Sequence, residues 1–469
     1  MNIPEPIRHL LNPDRFPHPV EHVEWLETHI SWLLLAGDFA YKIKKPVKLP
    51  FLDYSTLEKR LAYCRAEVAL NQRYSPTLYL DVVDFDGEPA VRMQRFDEAN
   101  RLDHVSARNE LSPQHLSELA RTIADYQSLA PVAGPDSPFG QPEEIAEAAF
   151  ENFEELFVLL PHLHDQIERL HDWTATELER REANFMARHA GGKVRECHGD
   201  LHLGNMVLLD GKVTPFDCIE FNDYFRWIDV ASEIAFTFID LIDHRKPGLS
   251  NWLLNEWLAW SGDFEALSVL RSYAVYRAMV RAKISAIQSA LHEAQEYLDM
   301  GENLAKPHPV RLTITCGLSG SGKTTSAQQR LLQDQTANTI RIRSDVERKR
   351  LFGLPPNAVS TGNIYGPEAS RLTYDRLAEL ASNCLNEGWS VIVDAAFLKQ
   401  AERQRFCALA HQHLAPFDIL FCNAELSELR RRLASRVGDA SEATVAVLEM
   451  QQHWFEPLAD FELPYVTSQ

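Results

Sequence analysis

Residues Cys316–Thr325 read C-G-L-S-G-S-G-K-T-T, and Gly317–Thr324 fit the spacing G-x-x-x-x-G-K-[ST]. Arg311–Cys316 (R-L-T-I-T-C) before it has the composition of a buried strand, and Thr325–Leu332 behind it holds no helix breaker. Strand, glycine loop and helix form the setting in which this spacing binds phosphate. Gly317, Gly320 and Gly322 let the backbone curl. Successive N–H groups of the loop (Leu318, Ser319, Ser321 and on to Thr325) then face a phosphate chain at the positive end of a helix. Lys323 supplies a point charge for the β- and γ-phosphates, and Thr324 a hydroxyl for Mg2+. A glycine turn that matches by chance is the competing reading, and the flanking strand and helix weigh against it. The stretch reads as a nucleoside triphosphate site.

The chain around it has 469 residues, too many for one ordinary core, so two or three domains are expected. A hydrophobic content of 45% with 24% charged residues describes a globular chain. The net charge of −20 argues against nucleic acid or an anionic membrane as a general partner. Seven cysteines are scattered without a C-x-x-C pair, as expected of free thiols in a reducing cytoplasm. No signal peptide is visible and no apolar run spans a membrane, so a cytoplasmic, soluble location is expected.

From the N-terminus, residues 28–35 and 39–44 read as strands joined at Ala36-Gly37-Asp38, with Lys42 and Lys44 on one face of the second. Ser55 with Glu58 has capping-box spacing and opens a helix running to about Arg73 that carries Glu67. Two further apolar stretches flank Asp86-Gly87, a hairpin signal. A five-stranded sheet with one inserted helix, a strand lysine and a helix glutamate follows the plan of a kinase small lobe. A lysine on a strand is more often a solvated charge, so Lys42 and Glu67 alone do not settle it.

Residues 97–195 read as mostly helical. His198–Asn205 then reads H-G-D-L-H-L-G-N, and a hairpin about Asp210-Gly211 leads to F-D-C at 216–218. Asp200 and Asn205 have the D-x-x-x-x-N spacing of a kinase catalytic loop, and Asp217 follows twelve positions later. The chemistry wants this trio. A carboxylate orients the acceptor hydroxyl and takes its proton, while an amide and a second carboxylate hold Mg2+. Turn-capping Asp and Asn residues are the plain alternative. His198 and His202 lack the further ligands a zinc site needs, so orientation roles are expected. The tryptophans of 225–300, among them Trp252 and Trp257, read as core.

The H-G-D-L-H-L-G-N run followed by F-D resembles the aminoglycoside phosphotransferase and choline kinase family, over roughly residues 25–300. The resemblance implies that Asp200 is the catalytic base, that Asn205 and Asp217 bind Mg2+, and that Lys42 pairs with Glu67 at ATP. It also implies that Asp229 braces the catalytic loop. A G-x-G-x-x-G phosphate loop is absent, and only Gly37 marks that turn.

Met300–Pro309 reads as a linker. Beyond the phosphate loop, strands ending at Ser344-Asp345 and at Asp394 alternate with helices, giving a parallel sheet with ligands at the strand carboxyl ends. Asp394 reads as a Mg2+ partner, Asp345 as a base for an acceptor hydroxyl, and Arg348 as a clamp for an acidic substrate group. Arg432 and Arg436 share one helix face suited to transferred phosphate charge. This half, over roughly Val310–Leu458, resembles P-loop kinases of the polynucleotide 5′-kinase, gluconate kinase and zeta-toxin type. That resemblance implies that Asp345 is the base and that the late arginines belong to a lid.

The expected architecture is therefore α/β and multidomain. A small lobe (1–97) and a helical large lobe (98–305) form a protein-kinase-like α+β domain, followed by a P-loop domain with a parallel sheet (306–469). The expected chemistry is ATP- and Mg2+-dependent phosphoryl transfer to small-molecule hydroxyls at two centres. Two alternatives stand beside it: a non-catalytic first half serving one P-loop kinase, and a nucleic-acid 5′-hydroxyl kinase. The acceptors and the oligomeric state are not legible.

Overall fold

The computed structural model describes residues 5–49, 52–360, 364–435 and 442–467. The chain divides into two compact units, residues 1–240 with 272–294 and residues 241–271 with 295–469.

The first unit opens with β1 (Val23–Glu27), β2 (Ser31–Ala36) and β3 (Phe39–Lys44), followed by helix α1 (Leu57–Asn71), β4 (Tyr79–Phe85) and β5 (Glu88–Gln94). These strands form an antiparallel sheet in the order β1-β2-β3-β5-β4. Strand β2 starts later than expected because the Thr28 hydroxyl accepts from Ser31 N–H (2.9 Å) and turns the chain at 28–31. Helix α1 is capped by Thr56, which accepts from Lys59 N–H at 3.3 Å, and not by Ser55. Asp53 has already engaged the Ser55 hydroxyl and N–H at 2.5 and 3.1 Å. At Asp86-Gly87 both residues are left-handed (φ 55° and 87°), the twist a two-residue hairpin needs.

Helices α2 (Pro113–Leu129), α3 (Pro142–Leu159) and α4 (His164–Ala190) build the larger part of this unit. Strand β6 (Val194–Glu196), the hairpin β7 (Met206–Leu209) and β8 (Lys212–Pro215), and β9 (Trp227–Asp229) follow, with β6 and β9 paired antiparallel. Next come α5 (Val230–Asp243), α6 (Pro247–Ser261), α7 (Leu270–Ile287) and α8 (Leu291–Ala305), and the unit boundary falls within α5, α7 and α8.

The second unit contains β10 (Leu312–Cys316), α9 (Lys323–Gln333), β11 (Thr339–Arg343), α10 (Ser344–Leu351), α11 (Pro367–Asn386), β12 (Ser390–Asp394), α12 (Gln400–Gln412), β13 (Phe417–Phe421), α13 (Leu426–Ala434), α14 (Val445–Trp454) and β14 (Val466–Thr467). Its sheet is parallel, in the order β11-β12-β10-β13-β14. The carboxyl ends of β10, β11 and β12 share one edge, where the phosphate loop, Asp345 and Asp394 lie.

A boundary at 305/306 does not describe this division, because 241–271 and 295–305 group with the second unit. The reason is α6. Its buried Asn255 donates to Thr339 C=O (2.8 Å) and accepts from Arg341 N–H (2.5 Å), while Asn251 accepts from Thr339 N–H at 3.3 Å. Two asparagines thus satisfy the outer edge of β11 as a neighbouring strand would. Trp257 on the same helix is fully buried. Helix α6 also approaches α9 so closely that a Cβ on Gly248 would lie 2.0 Å from the Leu332 carbonyl oxygen. The expected linker starts later, since α8 runs to Ala305. Among the described residues no helix is long and apolar enough to cross a membrane.

Candidate functional sites

In the first unit the catalytic-loop stretch is held from beneath by α5. Glu233 accepts from His198 N–H (2.9 Å) and Gly199 N–H (3.1 Å), Thr237 donates to Leu201 C=O (2.6 Å), and Asp240 accepts from Leu203 N–H (2.7 Å). These three residues brace the loop directly. Asp229, expected to do so, instead forms a buried bidentate pair with Arg188 (2.7 Å to each oxygen) and caps α5 through Ala231 N–H. Gly199 is left-handed (φ 88°), and a Cβ there would meet the Phe225 carbonyl oxygen at 2.5 Å. His198 is buried, its ring bonded to Phe216 C=O at 2.9 Å, and burial pushes its pKa down. It is an orienting group, not a ligand.

Asp200 accepts from the Asn205 amide at 2.9 Å and lies 3.5 Å from His202 Nε2. Burial raises a carboxyl's pKa, but here the His202 imidazole outweighs it and holds Asp200 well below its usual range. With its NH2 committed to Asp200, Asn205 keeps its amide oxygen for another partner. The β7–β8 hairpin closes the distance to Asp217: Phe216 N–H donates to Asn205 C=O at 2.9 Å. Asp217 itself is left-handed (φ 63°), an uncommon conformation for a non-glycine residue. Tyr79 accepts its N–H at 3.0 Å, and Asn71 accepts that of Cys218 at 2.9 Å.

Lys42 bridges Glu67 Oε1 (2.8 Å) and Asp217 Oδ1 (2.5 Å), joining β3, α1 and the F-D-C segment. Glu67 has no exposed surface. Burial alone would raise its pKa, but Lys42 and Lys44 overcome this and keep it low. An amide oxygen and a half-exposed carboxylate, both hard oxygen donors converging from rigid hairpin ends, fit a Mg2+ ion. Sequence reasoning left Lys44, Tyr54 and Glu220 out of the site. Lys44 shares the strand face with Lys42, which was the available signal; Glu220, three residues past Asp217, had none.

In the second unit Gly317 is left-handed (φ 151°), and a Cβ would sit 2.1 Å from the Cys422 carbonyl oxygen. Gly320 and Gly322 are left-handed too, and α9 starts at Lys323. The Lys323 ammonium donates to Gly317 and Leu318 carbonyls at 2.9 and 2.7 Å. Burial lowers its pKa, and the nearby Asp394 and Asp345 only partly oppose that. Asp394 ends β12 with Oδ2 lacking a hydrogen-bond partner and 4.0 Å from Arg343 Nε. The buried Asp394 Oδ2 and the Thr324 hydroxyl in the first turn of α9 are hard oxygen donors of the kind a Mg2+ site uses. Asp345 lies in the first turn of α10, two residues beyond the end of β11.

Arg432 donates to the Gly320 carbonyl at 3.2 Å while paired with Glu428 at 2.7 Å, so α13 brings it to the phosphate loop. Arg436 lies outside the described residues. Arg348 is buried and donates to Ile364 C=O (3.2 Å), with its guanidinium 5.0 Å from the Tyr365 ring centre. It holds Ile364, three residues ahead of α11. Gln451 of α14, which sequence reasoning missed, accepts from Ser319 N–H at 2.8 Å.

Residues 312–458 match a family described as an AAA domain. Proteins of Mycobacterium tuberculosis and Mycobacterium bovis, described as uncharacterized, are each 27% identical over 452 residues, covering 92% of this chain and 90% of theirs. The GDP complex of aminoglycoside 2′-phosphotransferase-IIIa is 12% identical with a TM-score of 0.40, over 63% of this chain and 97% of that one. A choline kinase structure from Cryptosporidium parvum is 11% identical with a TM-score of 0.41, over 60% and 88%.

Proposed function

We propose that the chain is a phosphotransferase with two nucleotide centres, each passing the γ-phosphate of ATP to a hydroxyl of a small molecule. The observation that carries it is Lys42 bridging Glu67 and Asp217 beside the Asp200–Asn205 pair. That arrangement supports a kinase centre in a unit that does not contain the phosphate loop. The depressed pKa of Asp200 keeps it ionised at neutral pH. Such a carboxylate is a weak base, which suits a loose transition state in which the acceptor proton leaves late. Asp200 would orient the hydroxyl, and Lys42 would hold phosphate oxygens with Glu67 fixing its direction. Mg2+, held by Asn205 and Asp217, would neutralise charge developing on the transferred group.

In the second unit the loop amides and Lys323 would cradle the phosphates, and Arg432 would meet developing charge. Asp345 would orient the second acceptor, and Thr324 with Asp394 would hold Mg2+. A second reading makes the first unit a binding module, and the exposed Gly37 turn, which offers little phosphate cover, favours it. The acidic balance weighs against nucleic acid as acceptor. Asp200→Ala and Lys323→Ala, assayed for ATP turnover against a metabolite library, decide between the readings. Each change should abolish a different subset of activities; if Lys323→Ala alone removes all of them, the first unit is not catalytic.

A further inference from the structure

The small lobe carries a second buried lysine that the nucleotide chemistry does not use. Lys44 has no exposed surface and contacts Glu67 Oε2 at 2.6 Å, Glu220 Oε1, and the Tyr54 hydroxyl at 3.3 Å. Its three N–H donors therefore meet three acceptors. Tyr54, also buried, donates to Glu220 as well. Lys42 differs. It is partly exposed and engages two acceptors, leaving a donor for a third. Glu67 thus divides its carboxylate, Oε1 to Lys42 and Oε2 to Lys44.

We infer that Lys44 is a positioning residue for the first-unit nucleotide centre: it occupies Glu67 Oε2, so that Glu67 takes only one donor from Lys42 and leaves another for phosphate. The inference rests on reading this unit as a nucleotide centre. A buried carboxylate with one lysine would draw that lysine onto both of its oxygens and leave it no donor for a competing anion. With Lys44 fixed by Glu220 and Tyr54, Glu67 Oε2 stays occupied and Lys42 keeps its third donor. Glu220 and Tyr54 anchor the Lys44 ammonium, and Glu67 is the counter-charge it neutralises.

The test uses the full chain carrying Lys323→Ala, which silences the phosphate loop, with MgATP binding measured by calorimetry and stability by thermal melting. Lys44→Met combined with Glu220→Gln removes one charge of each sign and leaves none unpaired. The expected result is a melting temperature near that of the parent and MgATP affinity weakened about tenfold or more, because Glu67 now holds Lys42 with both oxygens. Glu220→Gln alone keeps Lys44 on Glu67 and should change affinity less than about threefold. This arm reads the inference even if the double variant does not fold. Parent-like affinity in the double variant, or an equally large loss in Glu220→Gln, would overturn it. Lys42→Ala is the control for the underlying reading: if it binds MgATP like the parent, the first unit is no nucleotide centre, and that reading fails rather than the role of Lys44.

Discussion

At Lys323 an ammonium is held by two loop carbonyls in a setting that lowers its pKa. Phosphate oxygens would raise that pKa again, so nucleotide binding and proton uptake are linked over the range in which the lysine titrates. Affinity at the phosphate loop should decline as pH rises through the lowered lysine value, below the ordinary 10.5. Titrating MgATP into the Lys42→Ala chain from neutral to alkaline pH measures this; a flat profile would contradict it. His202 sets a second pH dependence. Burial disfavours its charge, but the Asp200 carboxylate prevails and its pKa is raised. A raised histidine pKa contributes stability that is complete below the unfolded value of about 6.5 and is lost as pH rises through the folded value. His202→Gln should therefore cost stability on the acid side of neutrality and little on the alkaline side, as read by denaturant unfolding. Residues inside contiguous motifs, such as Asp200, Asn205 and Lys323, were legible because spacing along one segment fixes their geometry. Lys44 and Glu220 were not, since 176 positions separate them and only the folded lobe joins them.

Helix α1 shows why elements are harder to read than motifs. Its buried residues are Arg60, Cys64, Glu67, Leu70 and Asn71, a largely polar face at helical spacing. Such a stripe gives weak apolar periodicity, and its burial makes sense only with Lys42, Lys44 and the F-D-C segment opposite. Helix α6 presents the reverse problem. Its tryptophans announce a buried helix, but apolar pattern does not say which core receives it. The answer lies in Asn251 and Asn255, which meet the open edge of β11. Asn255→Leu should destabilise the second unit by about 2–4 kcal/mol, because a buried N–H of Arg341 and C=O of Thr339 both lose their partner. Chemical denaturation followed by the fluorescence of that unit would register it, and a change under about 0.5 kcal/mol would show the edge to be satisfied otherwise. Gly248→Ala tests the same packing sterically, since its Cβ meets backbone at 2.0 Å.

For the whole molecule, the parallel sheet and the antiparallel small lobe both followed from alternating and hairpin patterns in the chain. The division into units did not, because residues 241–271 are contiguous with the first unit in sequence while their hydrogen bonds lie with the second. What unites the two units chemically is repetition: each sets a lysine and carboxylates around the place where we propose a nucleotide binds, by unrelated local structures. The claim that both places bind is tested most directly by the stoichiometry of MgATP binding to the intact chain. Two equivalents are expected for the parent, one for Lys42→Ala, one for Lys323→Ala, and none when the two are combined. A single equivalent in the parent that vanishes with Lys323→Ala alone would contradict the account.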